Sequence, residues 1–442
     1  MNFIKKFSII GLFGTNNIDI IFKENKMILI GENGLGKTQI LNLLYYILTR
    51  NFLRLSDFNF EKLTISFENR EVEITKDLIV KSIDKLFKDS EIKDFVKEFG
   101  YAQFEFLSKK WTHNKRSTYE LEKLLERNYK FRKYPLHRIF RYFEDFEFKQ
   151  RFDNILKEID LKIKNELDNS EIMYFPTYRR VEEDLHNLGY DDDEFLDDEF
   201  TLIQFGMDDV QKQFTQLERK IDNLLKDGLT QFTKDILNII VIDNEEPIED
   251  VLEKVNEEDI NLILSRLGTL LTDLQKESIK SFVIDKKVNN PTSKHLLNKL
   301  VKSYEEQKPY DKRIIVFRDV CNKYLINKEV FYDERKIKIY IRSKITQEKI
   351  DLKNLSSGEK QIISIFSKIY LSAEDKRFIV LFDEPELSLS MLWQKELLPD
   401  IINSNKCDFL LAVTHSPFIF DNELDRYAVG LNEYFSISKE NL

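Results

Sequence analysis

Through residues 1–80 the apolar positions alternate with polar ones or gather in short unbroken runs: FSIIGLFG, NIDIIF, MILIG, KLTISF and EVEIT. A period of two marks half-buried strands, and a short apolar run between turn residues marks a strand covered on both faces. One segment departs from this. TQILNLLYYILTR spaces its apolar residues three and four apart, the stripe of a helix lying on a core. From 81 to about 330 helical spacing takes over, as in DDVQKQFTQLERKIDNLLKDGLTQF and across 256–282. Proline and aromatic residues interrupt it and no heptad persists, which predicts a compact helical insert rather than a long coiled-coil arm. Strand patterning returns at VFYDERKIKIYIRSK. A helix in NLSSGEKQIISIF follows, then two apolar strands, RFIVLF and CDFLLAV. No internal repeat is visible. The pattern predicts an α/β core split by a helical domain, with 1–80 and 331–442 as the two lobes of the core and 81–330 as the insert.

Composition narrows the class. The chain has 442 residues, 42% hydrophobic and 33% charged, with a formal charge of −10. That is a globular chain able to bury a large core, and its acidity argues against wholesale coating of nucleic acid. Thirty-five Phe and 18 Tyr are read as core packing. Two cysteines, Cys321 and Cys407, lie far apart without paired spacing, which excludes a disulfide framework and fits a reducing cytoplasm. The N-terminus lacks the apolar core and small-residue cleavage site of a leader, and no run reaches membrane-spanning length. The expectation is a cytoplasmic protein with no membrane partner.

Three strand ends carry candidate chemistry. Gly31-Glu32-Asn33-Gly34-Leu35-Gly36-Lys37-Thr38 fits Gly-x-x-x-x-Gly-Lys-[Ser/Thr] between the strand MILI and an apolar-faced helix. Such a loop wraps phosphates in backbone N–H groups from Asn33, Gly34 and Gly36 onward to Gln39. Lys37 reaches the β/γ oxygens and the Thr38 hydroxyl takes Mg²⁺, so ATP with Mg²⁺ is the expected ligand pair. In FIVLFDEPELSLS, Asp383 and Glu384 end an apolar strand, where an open α/β sheet presents its ligand crevice. Asp383 is expected to complete the Mg²⁺ shell, and Glu384 to orient or deprotonate the attacking water. In LLAVTHSPF, His415 ends what should be the next parallel strand, placed to donate to the γ-phosphate or hold the water. Lys37, Glu384 and His415 are therefore the candidate catalytic residues. A fourth feature is a second anion-binding helix start, at Ser356-Ser357-Gly358-Glu359. Ser356 and Glu359 form a capping box there, which leaves free N–H groups aimed outward.

These residues carry a resemblance. Leu355–Glu359 resembles the signature of ABC-type ATPases, in the RecF/SMC/OLD-like branch (the AAA_15/AAA_21-like ATPases) where a large insert separates it from the phosphate loop. The likeness covers about 1–80 and 330–442. It implies an ABC-type P-loop ATPase core with a β-rich N-terminal portion and a large inserted helical domain. It further implies a homo-oligomer, at least a dimer, in which Ser356, Gly358 and Glu359 of one copy close over the nucleotide held by the phosphate loop of another. YFPTYRRVEED (174–184), LIQFGMDDV (202–210), DEPELSLSMLWQKELLPDI and THSPFIFDNELD resemble segments of bacterial anti-phage ATPases, such as the AriA subunit of PARIS and the PtuA-like ATPases of Septu and retron systems. That likeness implies a regulator of a separate effector encoded nearby, answering a phage-derived trigger. Within it, Arg179 and Arg180 are candidates for phosphate or a neighbouring subunit, with a surface ion pair as the plain alternative. Gln204 is a candidate for the metal-contacting glutamine. One departure stands out: Ser390 occupies a position where relatives carry Asp or His, so no charge is available there for coupling two sites.

The insert offers less. Residues 109–141 hold eleven Lys/Arg against three Glu with interleaved aromatics, either a DNA or acidic-protein contact or a solvated helix face. DDDEFLDDEF (191–200) is a solvated loop or a docking element for a basic partner. Two functions compete: a defence-type regulatory ATPase, and a RecF-like DNA-repair ATPase that clamps DNA. The short stretch after His415 is expected to leave no room for a C-terminal TOPRIM nuclease, which favours an ATPase acting through a separate effector. A transporter's nucleotide-binding subunit, with its much shorter spacing from phosphate loop to signature, fits poorly.

Overall fold

The computed structural model describes residues 4–32, 34–86, 154–167, 170–176, 206–242, 255–268, 271–284 and 291–437. It divides into two compact units, Met1–Gln204 with Asp375–Leu442, and Phe205–Glu374.

The first unit contains two five-stranded sheets. One is antiparallel, from β1 (Ile4–Leu12), β2 (Asn16–Ile21), β4 (Lys62–Phe67), β5 (Glu71–Thr75) and β13 (Phe435–Ile437), in the order β13-β2-β1-β4-β5. β4 and β5 bury every second position, as their period of two predicts. The other sheet is parallel throughout: β3 (Lys26–Ile30), β6 (Ser170–Phe175), β10 (Arg377–Asp383), β11 (Cys407–Thr414) and β12 (Ala428–Gly430), in the order β12-β3-β11-β10-β6. β10 and β11 are the unbroken apolar runs of the sequence, because a parallel strand is covered on both faces. Helices α1 (Lys37–Leu48), α2 (Lys76–Leu86) and α3 (Asn154–Leu167) belong to this unit. Ile40, Leu44 and Leu48 of α1 share one core with Phe7 and Ile9 of β1 and with Leu411 and Val413 of β11. Within the insert of the sequence reading, β6 lies beside β10, Phe175 stacking on Phe382 with ring centroids 4.4 Å apart.

The second unit contains α4 (Met207–Ile242), α5 (Glu257–Arg266), α6 (Asp273–Ile284), α7 (Pro291–Tyr324), a sheet of β7 (Lys328–Asp333), β8 (Lys338–Ser343) and β9 (Lys349–Ile350), and α8 (Ser357–Tyr370). α4 and α7 run antiparallel: Phe214 meets Phe317 edge-on at 5.7 Å, and further along Gly228 approaches Ser303 so closely that a Cβ would sit 1.9 Å from its Oγ. With 36 and 34 residues, these helices are longer than the compact insert expected. Gly228 and Pro309 break the heptad that would have announced such a pair. Arg266, at the end of α5, is buried against α7, donating to Asp311 at 2.7 Å and to Gln307 at 2.8 Å. The sequence boundary at 330/331 and this division cut the chain at different places. β7 and α8 pack on α7: Asn322 brackets Val330 with bonds of 2.7 and 3.0 Å, and Tyr324 lies against Phe366. The last long helix, α9 (Met391–Ile402), returns to the first unit. Among the described residues no helix is long and apolar enough to cross a membrane.

Candidate nucleotide site

Strand order builds the site. β11 lies between β3 and β10, with Thr414 opposite Ile30 and Val413 opposite Asp383, so three parallel strands end side by side. The phosphate loop leaves β3, the acidic pair leaves β10 and His415 follows β11.

In the loop, Gly34 and Gly36 both have positive φ. That left-handed region strains any other L-residue. Gly36 is the N-cap of α1 with no side chain closing the helix start, which leaves backbone donors free for an anion. Lys37 is only 6% exposed. Its Nζ donates to the carbonyls of Gly31 and Glu32 at 2.7 and 2.9 Å and lies 2.6 Å from Nε2 of His415. Burial pushes the Lys37 pKa below its ordinary value, against the pull of Glu384, Asp383 and Glu386.

The Thr38 hydroxyl donates to Asp383 Oδ1 at 3.1 Å, joining residues 345 positions apart. A hydroxyl beside a carboxylate is the oxygen pair that Mg²⁺ takes when water and phosphate supply the remaining ligands, so these two residues fit that ion. Glu384 also has a positive φ, a strained conformation for a glutamate. Its carboxylate lies 3.9 Å from His415 Nε2. Burial, then Asp383 and Glu386, raise its pKa above the usual carboxylate range, while His415 and Lys37 oppose the rise. A raised carboxyl pKa suits a group that accepts a proton from water.

In the second unit Ser356 caps α8 and both bonds of the capping box are present. Ser356 Oγ accepts from the Glu359 N–H at 3.4 Å, and Glu359 Oε2 accepts from the Ser356 N–H at 2.8 Å. Lys328 donates to both Glu359 oxygens at 2.9 and 2.8 Å. Burial works against ionisation of Glu359, but the bonds from Lys328 and Ser356 outweigh it and hold its pKa below the usual value. Glu359 is thus committed within its own chain. Ser356 and Ser357 are exposed and Gly358 is buried.

The structure brings Lys37, Thr38, Asp383, Glu384 and His415 together, with Gly34, Gly36 and Gln39 on the loop and first turn. Asn33, Gln204, Arg179, Arg180, the basic 109–141 and the acidic 191–200 lie outside the described residues. Sequence reading missed Glu386, which accepts from Thr414 Oγ1 at 2.7 Å and from the His415 N–H at 2.8 Å. The signal was there in Asp-Glu-Pro-Glu, whose last residue went unassigned. Ser390 caps α9 by accepting from the Trp393 N–H, which gives that side chain a structural use.

Strand order, phosphate loop and acidic strand end define a P-loop ATPase core of the ABC type. Residues 3–420 match the family described as AAA_15: AAA ATPase domain, and the chain belongs to that family. A curated relative, the xylose/arabinose import ATP-binding protein XylG of Sulfolobus acidocaldarius, is 29% identical over 105 residues, 23% of this chain and 40% of the relative. The chain thus matches less than half the length of that relative. Among solved structures, the SmcHead bound to the C-winged helix domain of ScpA covers 94% of this chain and 90% of its own at 13% identity, with a TM-score of 0.37. The Smc head domain with an extended coiled coil bound to the C-terminal domain of ScpA, from Pyrococcus furiosus, covers 98% and 95% at 12% identity, with a TM-score of 0.41. The fold assignment rests on strand order and register, not on these likenesses.

Proposed function

We propose that the protein binds ATP with Mg²⁺ and hydrolyses it slowly, each nucleotide being shared between two copies, and that it regulates a separate effector in bacterial anti-phage defence. The observation that carries the hydrolytic part is the convergence of Lys37, Thr38, Asp383, Glu384 and His415 across 345 and 378 residues of chain. Lys37 and the loop N–H groups hold the phosphates. Thr38 and Asp383 hold the metal, which neutralises phosphate charge when bound. Glu384 orients the water and accepts its proton. Sharing between copies is supported by the exposed Ser356 and Ser357 at the capped start of α8, where a helix favours an anion. Arg179 and Arg180 are proposed to meet phosphate or a neighbouring subunit, and Gln204 to contact the metal.

The defence role is supported by the likeness of residues 174–184, 202–210, 383–401 and 414–425 to anti-phage ATPases. Import, the role in the name of the curated relative, does not carry over on a match of 105 residues that spans 40% of that relative. Mixing tests the sharing. Lys37→Ala and Ser356→Arg chains, each inactive alone, should together regain a fraction of wild-type ATP turnover by forming one intact site. Mixtures as inactive as their components refute a site completed in trans. Co-expression with the neighbouring reading frame, followed by mass measurement of the purified complex, tests the effector; a chain that purifies alone in every nucleotide state refutes it.

A further inference from the structure

Glu386 stands two residues beyond Glu384, and each of its oxygens accepts from a different group at the end of β11. Oε2 accepts from Thr414 Oγ1 at 2.7 Å and Oε1 from the backbone N–H of His415 at 2.8 Å. Between the two glutamates the chain turns through the left-handed conformation of Glu384, whose own N–H donates to the Val413 carbonyl at 2.8 Å. A second clamp lies alongside. Ser416 Oγ donates to Gln394 Oε1 at 2.6 Å, and Gln394 Nε2 donates back to the Leu389 carbonyl at 2.9 Å. Thr414 Oγ1 also accepts from the Ser416 N–H at 3.0 Å. The backbone bearing His415 is therefore held by the segment that bears Glu384, and not by β11 alone.

We infer that Glu386 is a positioning residue: by gripping the His415 backbone from the Glu384 turn, it sets the separation of imidazole and carboxylate at the reacting phosphate. This rests on the hydrolytic reading of the site. The side chain must accept from the His415 N–H while meeting the Thr414 hydroxyl. Glutamine can do both, its carbonyl accepting from the N–H and its amide donating to a hydroxyl that turns round. Methionine has similar length and offers neither bond. Besides the charge that helps raise the Glu384 pKa, Glu386 supplies position through these two bonds.

The test is steady-state ATP turnover with nucleotide affinity measured in parallel by a fluorescent ATP analogue. Glu386→Met should keep affinity within about threefold and lose turnover by about tenfold to a hundredfold, the scale of a misplaced reacting group. Glu386→Gln should stay within about fivefold of wild type, since one good acceptor persists. Thr414→Val, which removes one of the two bonds and keeps the grip on the His415 N–H, should fall between the wild type and Glu386→Met, and Thr414→Ser should match the wild type. The Glu386→Met/Thr414→Val double variant should be no slower than its slower parent, because the two share one interaction. If Glu386→Met fails to fold, the Thr414→Ser and Thr414→Val pair decides the question alone. Wild-type turnover in Glu386→Met, equal losses in the Met and Gln variants, or affinity falling in step with turnover overturns the inference. A wild-type chain that does not hydrolyse ATP refutes the hydrolytic reading itself; a hydrolysing one with an unaffected Glu386→Met refutes only the role of Glu386.

Discussion

Gly34 and Gly36 both have positive φ, yet adding a methyl group to each should cost different amounts. A Cβ at Gly34 meets nothing within 4 Å. Gly34→Ala therefore bears only the left-handed backbone penalty of roughly 1–2 kcal/mol. A Cβ at Gly36 lies 2.9 Å from Cε2 and 3.2 Å from Cζ of Phe13, a contact that real side chains do not tolerate. The atoms met are the tip of an exposed ring that can turn aside, so Gly36→Ala adds about 1 kcal/mol, the low end of an overpacking cost, to the same backbone penalty. Phe13 is 43% exposed, so truncating it removes the contact with little loss of core. The double variant Phe13→Ala/Gly36→Ala should recover the steric part and leave the backbone part, matching Gly34→Ala. Chemical denaturation of these variants and of Phe13→Ala reads the costs, and calorimetric titration with Mg-ATP reads the loop. Gly36 precedes Lys37 as the cap of α1, so Gly36→Ala should also weaken ATP by about tenfold or more, as a ligand grip worth over about 1.4 kcal/mol is displaced. Equal destabilisation by Gly34→Ala and Gly36→Ala, or no recovery on removing the Phe13 ring, would refute the geometry of this loop.

Glu384→Gln keeps the shape of the side chain and removes its basicity, so it should bind ATP normally while turnover falls by about a hundredfold or more. Wild-type turnover in a rapid-quench assay would show that another group activates the water. In the second unit, Arg266→Met leaves the Asp311 carboxylate buried without its guanidinium. It should destabilise by about 3–5 kcal/mol, read as a lowered denaturation midpoint. Arg266→Met combined with Asp311→Leu should recover part of that loss, because no charge is left orphaned although Gln307 and Tyr332 each lose a buried partner. A double variant no more stable than Arg266→Met would refute the pairing.

What the chain encodes locally was legible from its residues. Gly34 and Gly36 specify the loop because its left-handed φ values there strain other residues. The period of two specified the antiparallel strands and the unbroken apolar runs specified β10 and β11. Ser356 with Glu359 specified a capped helix start, since the residues involved are neighbours on the chain. The prediction that His415 ends the strand beside Asp383-Glu384 also held, the two strands being parallel neighbours. Tertiary structure decided the rest. That Lys37 touches His415 and Thr38 touches Asp383 depends on β11 entering between β3 and β10. Strand order is set by packing of both faces of a sheet, which no local pattern records. The same holds for β6, joined edgewise to β10 from within a helical stretch, and for the length of the α4–α7 pair, whose close contact at Gly228 and Ser303 replaces a heptad. Glu386 escaped the sequence reading for that reason: its donors lie 28 and 29 residues away, and only the parallel register carries them to its carboxylate.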